Sequence, residues 1–178
     1  MPMVLMGMKF LRRWQKNWVA SKFRIRVLYR ILIFLIINFL GLAIGAKYTD
    51  PGVNSEWYQS LNKAPWTPPG WLFGVAWTVI MICFSIYLAF LWDSISNKWL
   101  FIILFIAALA LNVLWNPVFF ENQQVLFGFI IISALTVLIA FYLFFFWSNV
   151  KFISLLLLPY LLWLIIATSL NGYILLNN

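Results

Sequence analysis

Histidine is absent from the 178 residues, cysteine occurs once, and acidic side chains number four. Each shortage removes a class of chemistry. Without imidazole there is no His-based general acid–base catalysis, no His-ligated haem and no His-containing zinc site. The single cysteine, Cys83, lies inside an apolar run, which rules out a disulfide framework and reads as a small buried hydrophobe. The acids Asp50, Glu56, Asp93 and Glu121 all fall in expected loops or at helix ends. No carboxylate is expected at mid-membrane depth, where proton- or ion-coupled transporters carry ionisable groups, so coupled transport is disfavoured. Hydrolase, metalloprotease and nucleotide-binding motifs are missing as well: no GxSxG, HExxH, phosphate-cradling glycine loop or CxxC pair occurs. No metal site is expected, and nucleic-acid binding has only a basic N-terminal segment in its favour.

Charge itself is scarce. Charged residues make up 9% of the chain and hydrophobic residues 65%, against roughly 25% and 45–50% in a soluble domain. A soluble protein of this length has too little interior to hide so many apolar side chains, so the excess must face lipid. Unpaired backbone groups in hydrocarbon cost several kcal/mol each, which leaves helices or a closed barrel as spanning structures. Leu100 to Leu114 and Phe152 to Leu170 are almost continuously apolar, where barrel strands would be segments of roughly ten residues alternating apolar and polar. The fold class is therefore an all-α integral membrane protein, a five-transmembrane-helix bundle.

At about twenty residues per span, helices are expected near 28–46, 71–92, 99–119, 126–147 and 152–175. Residues 1–27 form a basic arm and 28–178 the membrane domain. Gly41 and Gly45, four apart in the first span, make a small-xxx-small pattern that lets another helix approach closely. The long first loop, 47–70, holds four of the seven prolines, whereas the connections at 93–98, 121–124 and 148–151 are tight and set neighbouring helices antiparallel. The first thirty residues carry Lys9, Arg12, Arg13, Lys16, Lys22, Arg24, Arg26 and Arg30 and no acid. With Phe10, Leu11, Trp14 and Trp18 among these cations, the arm suits an amphipathic helix on an anionic membrane surface or a topology-setting tail. A cytoplasmic N-terminus puts ten Lys and Arg inside against Lys47 and Lys63 outside, so the first loop and the C-terminus are expected on the opposite side.

What the chain has in abundance is tryptophan, with eleven residues. Trp14, Trp18, Trp92, Trp99 and Trp147 fall near expected span ends, as interfacial rings do. Trp77, Trp115 and Trp163 fall deeper, where an indole N–H needs a partner. Helical spacing puts Asn112, Trp115, Asn116 and Phe119 on one face of the third span, Tyr160, Trp163, Ala167 and Asn171 on one face of the fifth, and Phe73, Trp77 and Phe84 on one face of the second. Amides are costly in lipid, so these faces are expected to turn inward around a ligand cavity. Over them the run Trp57-Tyr58-Gln59-Ser60-Leu61-Asn62-Lys63-Ala64-Pro65-Trp66-Thr67-Pro68-Pro69-Gly70 combines rigid prolines with aromatic rings, a composition suited to a lid.

The run WYQSLNKAPWTPP with Phe73 and Trp77 resembles the signature of the translocator protein or tryptophan-rich sensory protein (TspO/MBR) family. Leu111-Asn112, Trp115-Asn116-Pro117, Phe119-Phe120, Pro159-Tyr160, Trp163, Ala167-Thr168 and Leu170-Asn171 are similar too. The resemblance implies a five-helix membrane receptor, sensor or carrier, commonly a homodimer in the lipid bilayer. It implies a cavity under the first loop that takes tetrapyrroles such as protoporphyrin IX and haem as ligands, with no cofactor required. The expected ligand-binding residues are Trp57, Tyr58, Trp66, Phe73, Trp77, Asn112, Trp115, Asn116, Phe119, Tyr160, Trp163 and Ala167. Light- and oxygen-dependent porphyrin breakdown, with Trp77 and Trp163 as redox-active neighbours, is an alternative activity, and a partner-binding regulatory membrane protein is another. Three features depart from the family: Ala64 stands where proline is usual, the C-terminal cholesterol motif has no basic residue after Tyr173, and the basic arm is long.

Overall fold

The computed structural model describes the backbone of residues 2–178 and the side chains of residues 21, 22 and 24–178. The expected amphipathic face formed by Phe10, Leu11, Trp14 and Trp18 lies outside these described side chains. Described elements are helical throughout: α1 Pro2–Val53, a short α2 Glu56–Ser60, α3 Gly70–Ser94, α4 Lys98–Asn116 running on into a π turn Pro117–Glu121, α5 Val125–Phe145, a four-residue α6 Trp147–Val150, a 3-10 stretch Lys151–Leu157, and α7 Leu158–Asn177. Five segments are long and apolar enough to cross a membrane, Arg24–Val53, Gly70–Ser94, Lys98–Glu121, Val125–Phe145 and Trp147–Asn177.

The spans close into a ring in the order α1, α3, α7, α5, α4. Consecutive α3 and α4 are thus not side by side as their tight connection suggests, because α1 stands between them. Phe34 of α1 packs its ring against Phe101 and Phe105 of α4, at 5.7 and 5.2 Å. On α1 the buried positions are Val27, Phe34, Asn38, Gly41, Gly45 and Gly52, and the exposed ones include Leu28, Leu32, Ile36, Leu40 and Ile44 at four-residue spacing. The helix therefore turns its small and polar side inward and its aliphatic side to lipid, the reverse of a soluble amphipathic helix.

Three local boundaries differ from the sequence expectation. The first span does not stop near 46. It continues through Lys47 to Val53 with Pro51 inside the helix, so the irregular connection shortens to residues 54–69 around α2. Proline in an interior turn normally ends a helix. Here Thr49 Oγ1 donates to Asn116 Oδ1 at 2.6 Å, and Gly52 lies so close to Phe120 that no Cβ fits, contacts that hold the last turn in place. The fourth span ends at Phe145 and not 147. The fifth is not one regular helix either: Lys151 sits at φ 47°, and the 3-10 stretch leads into Pro159, which has no N–H to offer Leu155. The third span ends in the π turn, where Asn122 N–H reaches Pro117 O at 2.9 Å. Pro117 leaves the carbonyl of Val113 without its backbone donor, and the Asn116 side-chain amide donates to it instead at 3.4 Å, as well as to Asn112 O at 3.0 Å.

Charges separate to the two ends. One end carries Lys22, Arg24, Arg26, Arg30, Lys98 and Lys151 with Asp93, the other Lys47 and Lys63 with Asp50, Glu56 and Glu121. Arg30 pairs with Asp93, joining α1 to the end of α3, and Lys98 donates to the Trp92 and Ile95 carbonyls that close α3. The Arg30–Asp93 pair is about a quarter exposed, in the range where ion pairs contribute ~1 kcal/mol or less. Arg30→Gln is accordingly expected to lower unfolding free energy by no more than about 1 kcal/mol in detergent denaturation, and by less at high salt. A loss several times larger would show that the pair locks the bundle.

Candidate functional site

At the end of the bundle opposite Arg30, α2 lays two rings over the π turn. Ser55 caps α2, its hydroxyl accepting from Tyr58 N–H at 3.2 Å, which fixes the direction of the next two side chains. Trp57 meets Phe119 edge-on at 5.6 Å, and Tyr58 meets Phe119 at 6.4 Å and Phe120 at 5.4 Å. Burial pushes the Tyr58 phenol above its ordinary pKa, and the Lys63 ammonium stands 4.6 Å from the same ring. Beneath them Trp115 stacks on Phe119 at 5.2 Å with planes 10° apart.

A second group lies deeper, between α3 and α7. Phe73 meets Trp163 at 5.1 Å, Trp77 meets Tyr160 at 5.9 Å, and Phe84 meets Tyr160 at 5.4 Å, all edge-on. Asn112 reaches across from α4 to donate to the Tyr160 hydroxyl at 2.9 Å. Trp115 packs both against the small cluster of Phe119, Phe120 and Ile174 and against the main core that contains Tyr160 and Trp163. Ala167 is half-buried against that main core.

Ten of the twelve residues expected to bind ligand thereby lie in or against these two groups, and two do not. Asn116 faces α1 and not the aromatic groups: it clasps that helix, with Thr49 at its Oδ1 and Gly45 against its Nδ2. The reason is the missing donor at Pro117, which recruits the Asn116 amide to the helix backbone. Trp66 is exposed and lies along α7, edge-on to Tyr173 at 5.4 Å, with Nε1 donating to Ser169 Oγ at 3.1 Å. It fastens the lid from outside. Asn62 and Asn178 add a second fastening, Asn62 N–H donating to Asn178 Oδ1 at 2.8 Å and Asn178 Nδ2 to Asn62 O at 3.3 Å. Ala64, at the position where proline is usual, is buried, and its carbonyl accepts from both Thr67 N–H and Thr67 Oγ1.

Within each group the clustered rings touch one another. At the bundle centre a cavity of about 10 Å³ lies among Asn38, Met81, Phe84, Ala108, Leu109, Asn112 and Tyr160. That is room for one water-sized sphere, not for a macrocycle. Sequence reasoning passed over two features of this interior. Asn38 donates from α1 to Ser85 Oγ on α3 at 2.8 Å; a lone amide in an apolar run was its only signal. Asn171, assigned to the inward face of the fifth span but not to the binding set, is buried with neither amide atom partnered.

Comparison with known proteins places these residues in context. Residues 31–176 match the TspO/MBR family. A tryptophan-rich protein TspO of Archaeoglobus fulgidus is 36% identical over 155 residues, covering 86% of this chain and 97% of its own length. A tryptophan-rich sensory protein of Cereibacter sphaeroides is 32% identical, with 77% and 87% covered, and a translocator protein of Bos taurus is 32% identical, with 78% and 83% covered.

Proposed function

The chain belongs to the TspO/MBR family, and from that premise we propose that it is a multi-pass membrane receptor or sensor that takes a tetrapyrrole, such as protoporphyrin IX or haem, between its lid and its aromatic interior. One observation carries the reading. Ring contacts run from Trp57 and Tyr58 on the lid through Phe119 to Trp115, and Trp115 packs against the same core cluster that holds Tyr160 and Trp163, where the Trp77–Tyr160 and Phe73–Trp163 pairs meet. A flat apolar macrocycle exchanging such contacts for its own keeps the burial and the offset stacking, each contact contributing roughly 0.5–1.5 kcal/mol beyond area. No iron ligation is required, which suits a chain without histidine.

The rings are closed on one another, so binding has to part the lid from the π turn. The lid is held by edge contacts and by a few side-chain hydrogen bonds at its exposed rim, those of Trp66 and Asn62, interactions of the strength that gating loops give up. Charge supports an orientation as well. Among the described side chains, six cations and one acid at the Arg30 end, against two cations and three acids at the lid end, favour a cytoplasmic N-terminus with the lid on the far side.

The test is a protoporphyrin IX titration of the protein in lipid, followed by tryptophan quenching, in the wild type and in the Trp77→Phe plus Trp163→Phe variant. Saturable quenching is expected, with affinity about tenfold lower in the variant, since two weakened aromatic contacts amount to about 1.4 kcal/mol. Absence of saturation in the wild type overturns the tetrapyrrole reading.

A further inference from the structure

Asn171 is 2% exposed, and neither its Nδ2 nor its Oδ1 has a hydrogen-bond partner. An amide left unpaired in a low-dielectric interior is costly, and a leucine of similar size would remove that cost. Its neighbourhood shows where the group points. A Cβ built on Gly128 of α5 would stand 3.4 Å from Asn171 Nδ2 and 3.1 Å from Phe119 Cδ2, so the amide, the glycine and the Phe119 ring meet at one place. Trp115 stacks on the same Phe119 ring, and its Nε1 is likewise buried and unpartnered. Phe119 thus lies beside two unused hydrogen-bonding groups on different helices.

Phe119 also sits on the least regular backbone of the site. In the π turn Pro117–Glu121, Asn122 N–H and Gln124 N–H reach back to Pro117 O and Val118 O, one or two residues farther than in an α-helix. Reverting such a turn by one residue swings a side chain by about 100° around the helix axis. The ring therefore has a route out that leaves α4 intact.

We propose that Asn171, together with Trp115, is the hydrogen-bonding position for the polar edge of the bound macrocycle, occupied when Phe119 swings away. The inference rests on the tetrapyrrole reading and adds to it the part of the ligand that is recognised: oxygen-bearing substituents at the rim, not the ring face. A second copy of the chain cannot be the intended partner of Asn171, since the amide is enclosed by α5, α7 and the π turn. The other unpartnered buried groups do not compete for this role: Tyr142 OH and Ser154 Oγ belong to the α5 and 3-10 segments on the far side of Tyr160, and Trp163 Nε1 is flanked by Phe73.

The experiment compares protoporphyrin IX with etioporphyrin, the same macrocycle carrying only alkyl groups, on wild type and Asn171→Leu in lipid, and adds thermal melting of both proteins without ligand. The expected result is that Asn171→Leu loses at least tenfold in protoporphyrin IX affinity, keeps its etioporphyrin affinity, and melts at a higher temperature than wild type. Unchanged discrimination between the two porphyrins, or a lower melting temperature in the leucine variant, overturns the proposal; the latter means that the amide is already satisfied in the resting protein. Asn171→Ala reads the same discrimination if the leucine variant does not accumulate. A wild type that binds neither porphyrin strikes at the tetrapyrrole reading itself, and the melting comparison then judges Asn171 alone.

Discussion

Tyr160→Ala is expected to cost about 3–5 kcal/mol of unfolding free energy, the largest effect of any single truncation in the bundle. Tyr160 is 2% exposed. Its ring is the meeting point of Trp77 and Phe84, and its hydroxyl holds Asn112 on the opposite side of the interior. It also borders the central cavity of about 10 Å³, so removing the ring extends an existing void instead of opening an isolated one. Surrounding helices relax only partly around such a hole, and its walls lose dispersion contacts that lipid does not replace. Tyr160→Phe keeps the ring and strands only the Asn112 donor. Interhelical hydrogen bonds in membrane proteins average about 0.6 kcal/mol, so that variant is expected to lose about 1 kcal/mol. Denaturant titration of both variants in detergent gives the comparison, and equal losses would mean that the hydroxyl, not the ring, carries the effect.

Alanine at Gly41, Gly45 and Gly52 of α1 is expected to separate them in the order Gly52, Gly45, Gly41. A Cβ at Gly52 meets Phe120 Cβ, Cγ and Cδ1 at 2.5–2.6 Å. Those atoms are the root of a buried side chain and cannot turn aside, so α1 must move off the π turn. Overpacking of this kind costs about 1–3 kcal/mol or more. At Gly45 the new carbon meets Asn116 Nδ2 at 2.7 Å, and displacing that amide disturbs its bond to Thr49 and its service to the Val113 carbonyl. At Gly41 its one contact under 3 Å is Leu109 Cδ1 at 2.7 Å, the rotatable tip of a flexible side chain, with Val113 Cγ2 at an ordinary 3.4 Å. Alanine also regains about 1 kcal/mol of helix propensity over glycine, which leaves Gly41→Ala near neutral. Melting temperatures of the three variants decide the matter: if Gly41→Ala is as damaging as Gly52→Ala, close approach of the helix backbones, and not the particular atom met, sets the cost.

The candidate site was readable from sequence to the extent that spacing within one helix determines it. Phe73, Trp77 and Phe84 share a face of α3, Tyr160, Trp163 and Ala167 share a face of α7, and the two faces meet as rings in contact. Asn116 obeys the same spacing and still faces α1 and not the aromatic groups, because the carbonyl freed by Pro117 and the Thr49 hydroxyl hold its amide there. Trp66 reads as part of the lid, which it is. Its ring lies outside because Tyr173 and Ser169 offer an edge contact and an acceptor on the flank of α7.

Sequence by itself determined that this protein lives in a membrane, that it crosses five times as helices, that its charge divides between two ends, and that its aromatic residues gather on inward faces. These follow from quantities local to the chain: the run of apolar residues, the helical period, the count of cations and the backbone's need for hydrogen bonds in lipid. Only the tertiary structure decided that α1 separates α3 from α4, that the first span outruns Pro51, that the rings close on one another, and that Asn171 is left unpaired. Each of those depends on what a residue meets across helices, at distances along the chain where sequence spacing carries no information, and in a close-packed interior a single neighbour at 3 Å is enough to settle where a side chain goes.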